Sequence, residues 1–125
     1  MDPDSRRVDW TITDPSTDEL VGWFLLYNFN SRNRSAEFGF GLVRAMRGKG
    51  SSKKLLTTAF HKAFREFDLK KIYCHTASFN HGSIQALMAL NLLQDGVLRA
   101  HHELDGTLHD EIIYSLLRDE WTTVQ

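Results

Sequence analysis

The chain has little sulfur chemistry to offer: among its 125 residues there is one cysteine, Cys74. A single thiol forms no internal disulfide, which suits a reducing cytoplasm. Long apolar runs are also missing, and none approaches the roughly 20 residues needed to span a bilayer. The start, Met1-Asp2-Pro3-Asp4-Ser5, has no apolar segment behind it and does not read as a signal peptide. Neither sign of charge is in excess. The formal net charge is −1, so nothing global argues for nucleic acid or a membrane surface as partner. Repeats and low-complexity linkers are absent as well. What is present is ordinary for a globular protein, with 42% hydrophobic and 25% charged residues. The length fits one domain, residues 1–125, with one core.

Metal-ligand spacing is lacking too. The six histidines form no H-x-x-x-H pair and no C-x-x-C exists, so no metal site is expected. His101 and His102 are adjacent in a predicted strand and point to opposite faces. Cys74 and His75 diverge for the same reason, which argues for packing roles rather than a nucleophilic pair.

The order of elements follows from periodicity. Val8–Thr13, Leu20–Phe29 and Ala36–Val43 read as three strands joined by short polar turns. From Ser52 onward, Leu56, Phe60, Ala63, Phe64 and Phe67 recur at helical spacing. Lys70–Thr76 reads as a short buried strand, and Ile84, Leu87, Met88 and Asn91 as a second helix. Two further strands, Val97–Leu104 and Leu108–Leu117, flank Asp105-Gly106, a strong hairpin signal because both turn positions need φ > 0. The expected order is β-β-β-α-β-α-β-β. This is a mixed α/β (α+β) domain with a mostly antiparallel sheet and one parallel pair made by the strand-helix-strand crossover.

One segment stands out chemically. Arg47-Gly48-Lys49-Gly50-Ser51-Ser52 lies between a strand and a helix. Glycines let backbone come close to a ligand, and a helix start presents free N–H groups with about half a positive charge. Arg47, Lys49 and Lys53 add full charges. The combination suits a pyrophosphate. It is neither a Walker loop nor a Rossmann fingerprint, since both spacings are missing. The plainer reading is a basic surface turn.

This segment resembles the R/Q-x-x-G-x-G/A signature of the GNAT superfamily of N-acetyltransferases. Arg47 and Gly50 match, and Ser52 stands where the family usually has Gly or Ala. Ser35-Ala36-Glu37-Phe38-Gly39 is similar to the family's preceding strand, and Asn80-His81-Gly82-Ser83 to its N-x-x-S helix start. Leu104–Asp110 is similar to the hairpin of the branch acetylating ribosomal-protein N-termini, polyamines and related amines. The resemblance runs from about residue 8 to 121.

The resemblance implies acetyl-CoA as co-substrate, no metal, and direct attack by a primary amine without an acyl-enzyme. It implies that the central parallel strands splay and that the pantetheine inserts between them. The Leu42 backbone would hold the thioester end. Gly48, Lys49, Gly50, Ser51 and Ser52, with Arg47, would hold the pyrophosphate. Asn80 reads from its position as a helix N-cap, and the family adds a pantetheine contact. Ser83 would lie near the departing thiolate as a proton donor, or else serve only as a first-turn serine. Leu87 occupies the place where many members carry a tyrosine acid. Asn91 stands where a glycine usually ends the helix, and Asn tolerates the left-handed conformation.

Glu37 is the candidate base. An amine acceptor is mostly protonated at pH 7 and must lose a proton before it attacks. By alternation Glu37 faces away from Phe38 and Phe40, beside Gly39 and Gly41, whose size leaves room for a ligand. A solvated strand glutamate is the alternative. The family also opens with a strand and helices before the strand at Val8, so the chain is expected to be N-terminally shortened. Apolar surface around Trp10, Phe24 or Trp23 would then face water and be covered in a homodimer. Two other readings stay open: a non-catalytic CoA-binding relic with a regulatory or structural role, and an interaction module.

Overall fold

A computed structural model of the chain describes residues 2–123. Six strands form one sheet in the order β1-β2-β3-β4-β6-β5. They are β1 (Val8–Thr13), β2 (Leu20–Asn30), β3 (Ser35–Leu42), β4 (Lys71–Ala77), β5 (Leu93–Leu104) and β6 (Thr107–Leu117). The helices are α1 (Ser51–Glu66), α2 (His81–Ala89) and a short α3 (Arg118–Thr123). Every neighbouring pair is antiparallel except β3–β4, the pair joined through α1.

Alternation decides which face each strand buries. Phe24, Leu26, Phe38, Ile72 and Leu116 are fully buried on one face. There they meet Leu55, Leu56, Ala59, Phe60 and Ala63 of α1. Phe38 stacks on Phe24 at 5.5 Å and takes the edge of Phe60 at 5.2 Å. Each such buried side chain contributes about 1.5–3 kcal/mol. Trp121 of α3 closes the layer edge-on to Phe60 at 5.5 Å. The end of α1 is tied by Arg118, whose guanidinium donates to the carbonyls of Phe64, Phe67 and Leu69 at 2.6–2.8 Å. Phe64 is one of the last-turn carbonyls that a helix leaves without intrahelical partners, and Phe67 is the C-cap residue.

Two sequence expectations change here. Trp10 and Phe24 do not face water. They are register partners in the β1–β2 ladder, so they share the face covered by α1, and their rings stack at 5.9 Å. Only Trp23, one residue out of phase, is exposed on the other face. The fifth strand also begins at Leu93, four residues before Val97, because two register shifts accommodate Gly96 and the segment before His102. Three-residue helical turns at Pro3–Ser5 and Arg44–Met46, and α3 itself, carry too little periodicity to be read from sequence. The turn at Asp105-Gly106 has φ of 52° and 82°, and Asn91 ends α2 at φ 65°, both as their residue types require.

Candidate active site

The parallel pair β3–β4 is short for the strands that make it. Only Ser35–Lys71, Ala36–Ile72 and Glu37–Tyr73 are in register. Beyond them β3 stays paired with β2 as far as Leu42, and β4 stays paired with β6 as far as Ala77. Each strand follows its outer neighbour, so the sheet opens as a V from Phe38 and Cys74 onward. Along that V, the β4-facing edge of Phe38–Leu42 has no strand across from it among the described residues.

Two chambers occupy the opening. The larger, about 880 Å³, is lined by the ends of β3 (Phe40, Gly41, Leu42), by the 47–53 segment and by the first turns of α2. The smaller, about 280 Å³, lies toward the uncovered face and includes Tyr27, Gly39, His75, Phe79, His102 and Glu111. Phe40, Asn80 and Ser83 line both. A molecule passing from one to the other therefore crosses the start of α2.

The larger chamber has a free helix start. Gly50 is the N-cap of α1, at φ 74° and ψ 11°, and gives no side-chain cap. Gly48 is also left-handed, at φ 75°. An added Cβ at Gly50 would meet nothing within 4 Å. The requirement for glycine there is conformational, and the space above the loop is open. Arg47, Gly48, Gly50, Ser51, Ser52 and Lys53 line the chamber, whereas Lys49 lies in the loop without lining it. By contrast α2 is capped: Oδ1 of Asn80 accepts from the Ser83 N–H at 3.3 Å. One helix start is thus satisfied internally, while the other presents its amides and cationic neighbours to the cavity. Leu42 lines the chamber at the splayed edge. Leu87 is fully buried and points into the core.

Glu37 sits on the last registered rung of the splay. Oε2 accepts from Tyr27 Oη at 3.1 Å and Oε1 from Asn28 Nδ2 at 2.9 Å. Asn28 reaches it because β2 bulges there, with φ 50° at Asn28. Burial first, then the adjacent Glu37 charge, pushes the Tyr27 hydroxyl up to about 12, so it remains a donor. Glu37 approaches the smaller chamber through Tyr27 and does not line it. The room expected beside it is only partly there. A Cβ at Gly39 would make ordinary contacts of 3.8 Å, but at Gly41 it would meet the Trp23 indole at 2.2 Å. Tertiary packing, not ligand space, explains Gly41.

His75 and Cys74 do diverge, with different outcomes. Cys74 is buried, and burial pushes its thiol up to about 12, which makes it inert as a nucleophile at neutral pH. His75 is not a packing residue. It stands on the uncovered face, where Glu111 accepts from its Nδ1 at 3.2 Å. The same carboxylate accepts from Nδ1 of His102 at 3.1 Å. Sequence reasoning missed this cluster, because its members come from three strands and no spacing signals them. Among the described residues no group of three or more His, Cys, Asp or Glu side chains is placed to hold a metal ion. No described helix is long and apolar enough to cross a membrane.

Residues 1–92 match the family model described as "Acetyltransferase (GNAT) domain", and the chain belongs to that family. It is 32% identical over 106 residues to YdaF of Bacillus subtilis, a protein named provisionally as a ribosomal N-acetyltransferase. That alignment covers 82% of this chain and 56% of YdaF. It is 26% identical over 99 residues to the spermidine N(1)-acetyltransferase of Vibrio cholerae, covering 79% of this chain and 57% of that protein. The solved structure of spermidine N-acetyltransferase from Vibrio cholerae with CoA and spermine superposes with a TM-score of 0.87 at 24% identity. It covers 96% of this chain and 70% of the other, a likeness of fold. The chain spans 56–65% of the length of the curated relatives it matches.

Proposed function

We propose that the chain transfers the acetyl group of acetyl-CoA to a primary amine by direct attack. The observation that carries this reading is the splay of β3 from β4 ending at an uncapped, basic helix start. It offers an unpaired strand edge for an extended amide arm and an anion site beyond it for a pyrophosphate. In this reading Arg47 and the amides of Gly48, Gly50, Ser51 and Ser52 hold the pyrophosphate. Lys49 contributes charge from outside the wall. The Leu42 backbone holds the thioester end, and Asn80 meets the arm where the chambers join. Ser83, at that junction, gives a proton to the leaving thiolate. Glu37 meets the ammonium and can take its proton directly or through water.

The acceptor class is a protein N-terminus, a polyamine or an aminosugar. Relatives named for ribosomal and polyamine substrates support an amine of this kind. Cytoplasmic residence fits the free, buried Cys74 and the supply of acetyl-CoA. A homodimer is part of the same proposal, through the uncovered face that bears Trp23, 42% exposed. Sedimentation of the purified chain at micromolar concentration tests it, and a monomer removes that element.

Acetyl-CoA titration by calorimetry, followed by amine-dependent release of free thiol, tests the whole. Binding with turnover supports transfer. Binding without turnover returns the chain to a cofactor-binding relic, a reading that Leu87 and Ser52 favour. No binding sinks both.

A further inference from the structure

The smaller chamber holds a cluster that the reading above leaves unused. Both oxygens of Glu111, a side chain only 15% exposed, accept from imidazole Nδ1 atoms, one of His75 and one of His102. An ionised carboxylate has no proton to give, so each ring carries its proton on Nδ1. An imidazole held through Nδ1–H in this way leaves Nε2 as its free nitrogen, the atom that can accept a proton.

The placement is tertiary. His75 faces Ile113 and Ala77 faces Glu111 in the β4–β6 ladder, which makes His75 and Glu111 diagonal neighbours on one face. His102 is delivered by the irregularity in β5, where Ala100 has φ 50° and its N–H is held by Asp110 Oδ1 at 3.0 Å. Phe79 stands edge-on to His102 at 5.3 Å and to His109 at 5.0 Å. His75, His102 and Glu111 all line the chamber, together with Tyr27 and Cys74 as further titratable groups; neither lysine nor arginine is among the described lining residues. Tyr73 on β4 flanks His75, with ring centroids 6.3 Å apart, and Glu37 reaches the chamber through Tyr27. An ammonium entering here meets acceptors and aromatic rings and no competing Lys or Arg cation.

We propose that His75, its ring held by Glu111, takes the proton from the attacking amine, with Glu111 and His102 as positioning residues. The proposal rests on the acetyl-transfer reading and gives Glu37 the narrower role of holding the ammonium charge. An imidazole is intrinsically about two units closer than a carboxylate to the pKa of an amine, a better match for accepting its proton. Both oxygens of Glu37 are moreover engaged by donors. In the step, R–NH3+ passes one proton to Nε2 of His75. The freed lone pair bonds to the thioester carbonyl carbon. The C–S bond then breaks, and sulfur leaves with the electron pair and takes the second nitrogen proton through Ser83 or water. His75 returns its proton to solvent.

The test assays wild type, His75→Gln, Glu111→Gln and Glu37→Gln with acetyl-CoA and a panel of spermidine, glucosamine and a peptide with a free N-terminus. His75→Gln is expected to lower kcat by about 10²–10⁴ while acetyl-CoA affinity by calorimetry stays at the wild-type value. The acid limb of the pH–rate profile is expected to vanish in His75→Gln and to persist in Glu37→Gln. Glu111→Gln is expected to displace that limb with a smaller loss of rate. Nitrogen-15 imidazole spectra should show His75 protonated on Nδ1. A wild-type kcat or a retained acid limb in His75→Gln overturns the proposal, as does the Nε2–H tautomer. If wild type binds acetyl-CoA yet acetylates none of these amines, the transfer reading fails and this one with it. An active wild type with an indifferent His75 sinks only this one.

Discussion

The larger chamber draws its chemistry from consecutive residues, the smaller from residues scattered over the chain. Arg47 to Ser52 place two left-handed glycines, two cations and a free helix start in one uninterrupted segment. The smaller chamber takes Tyr27 from β2, His75 from β4, His102 from β5 and Glu111 from β6. Local chain geometry therefore governs the first, and strand register governs the second. A substitution in the loop should act on cofactor affinity alone. A substitution in the smaller chamber should act on the acceptor and on proton transfer.

The sharpest break is expected at Gly50. A valine there must adopt φ 74°, which costs roughly 1–3 kcal/mol of backbone strain, and its branched Cβ also obstructs the ligand. CoA binding by Gly50→Val should disappear from calorimetry, whereas Gly50→Asn, whose residue type tolerates the left-handed region, should retain part of it. Equal affinity in wild type and Gly50→Val would contradict the anion site. Far-UV circular dichroism separates this from loss of α1.

Glu37→Gln is expected next in size. It removes a charged partner for the ammonium, about 1.5–3 kcal/mol, and should appear mainly in KM for the amine. The deficit should shrink as pH rises and the amine becomes neutral, while acetyl-CoA affinity stays level. A loss independent of pH would take the ammonium away from Glu37.

Arg47→Ala should weaken CoA by about 1–3 kcal/mol if one charge-assisted hydrogen bond is lost. The effect should leave the pH–rate profile unchanged in shape. A changed profile would mean that the two chambers are not separable.

The smallest effect concerns Cys74, which lines the smaller chamber from its buried side. With its thiol pushed up to about 12 by burial, the folded group is overwhelmingly protonated at mildly alkaline pH and offers little thiolate to react. Labelling by a disulfide reagent at mildly alkaline pH should track global unfolding, and bound CoA should slow it. Rapid labelling of the folded protein would show that the chamber opens wider than its wall suggests.

The same contrast explains what could be read in advance. The glycine loop, the Asn80 cap, the Asn91 helix end and the Asp105-Gly106 turn are each set by the conformational limits of residues adjacent in sequence. All of them were legible, as was the β-β-β-α-β-α-β-β order from periodicity. The exposed apolar surface expected around Trp10, Phe24 or Trp23 is found at Trp23, because pairing across β1–β2 turns Trp10 and Phe24 toward α1. The room attributed to Gly41 was an inference from its size, and the Trp23 indole fills it.

By itself the sequence determined the six strands, the two longer helices, the parallel crossover and a basic glycine loop at a helix start, since those depend on local φ/ψ limits and side-chain period. Tertiary structure alone decided that β3 parts from β4 after Glu37 and that one carboxylate, Glu111, holds two histidines. Those facts depend on register between strands distant in the chain. A bulge of one or two residues in β5 redirects which side chains share a face, and no local pattern records it.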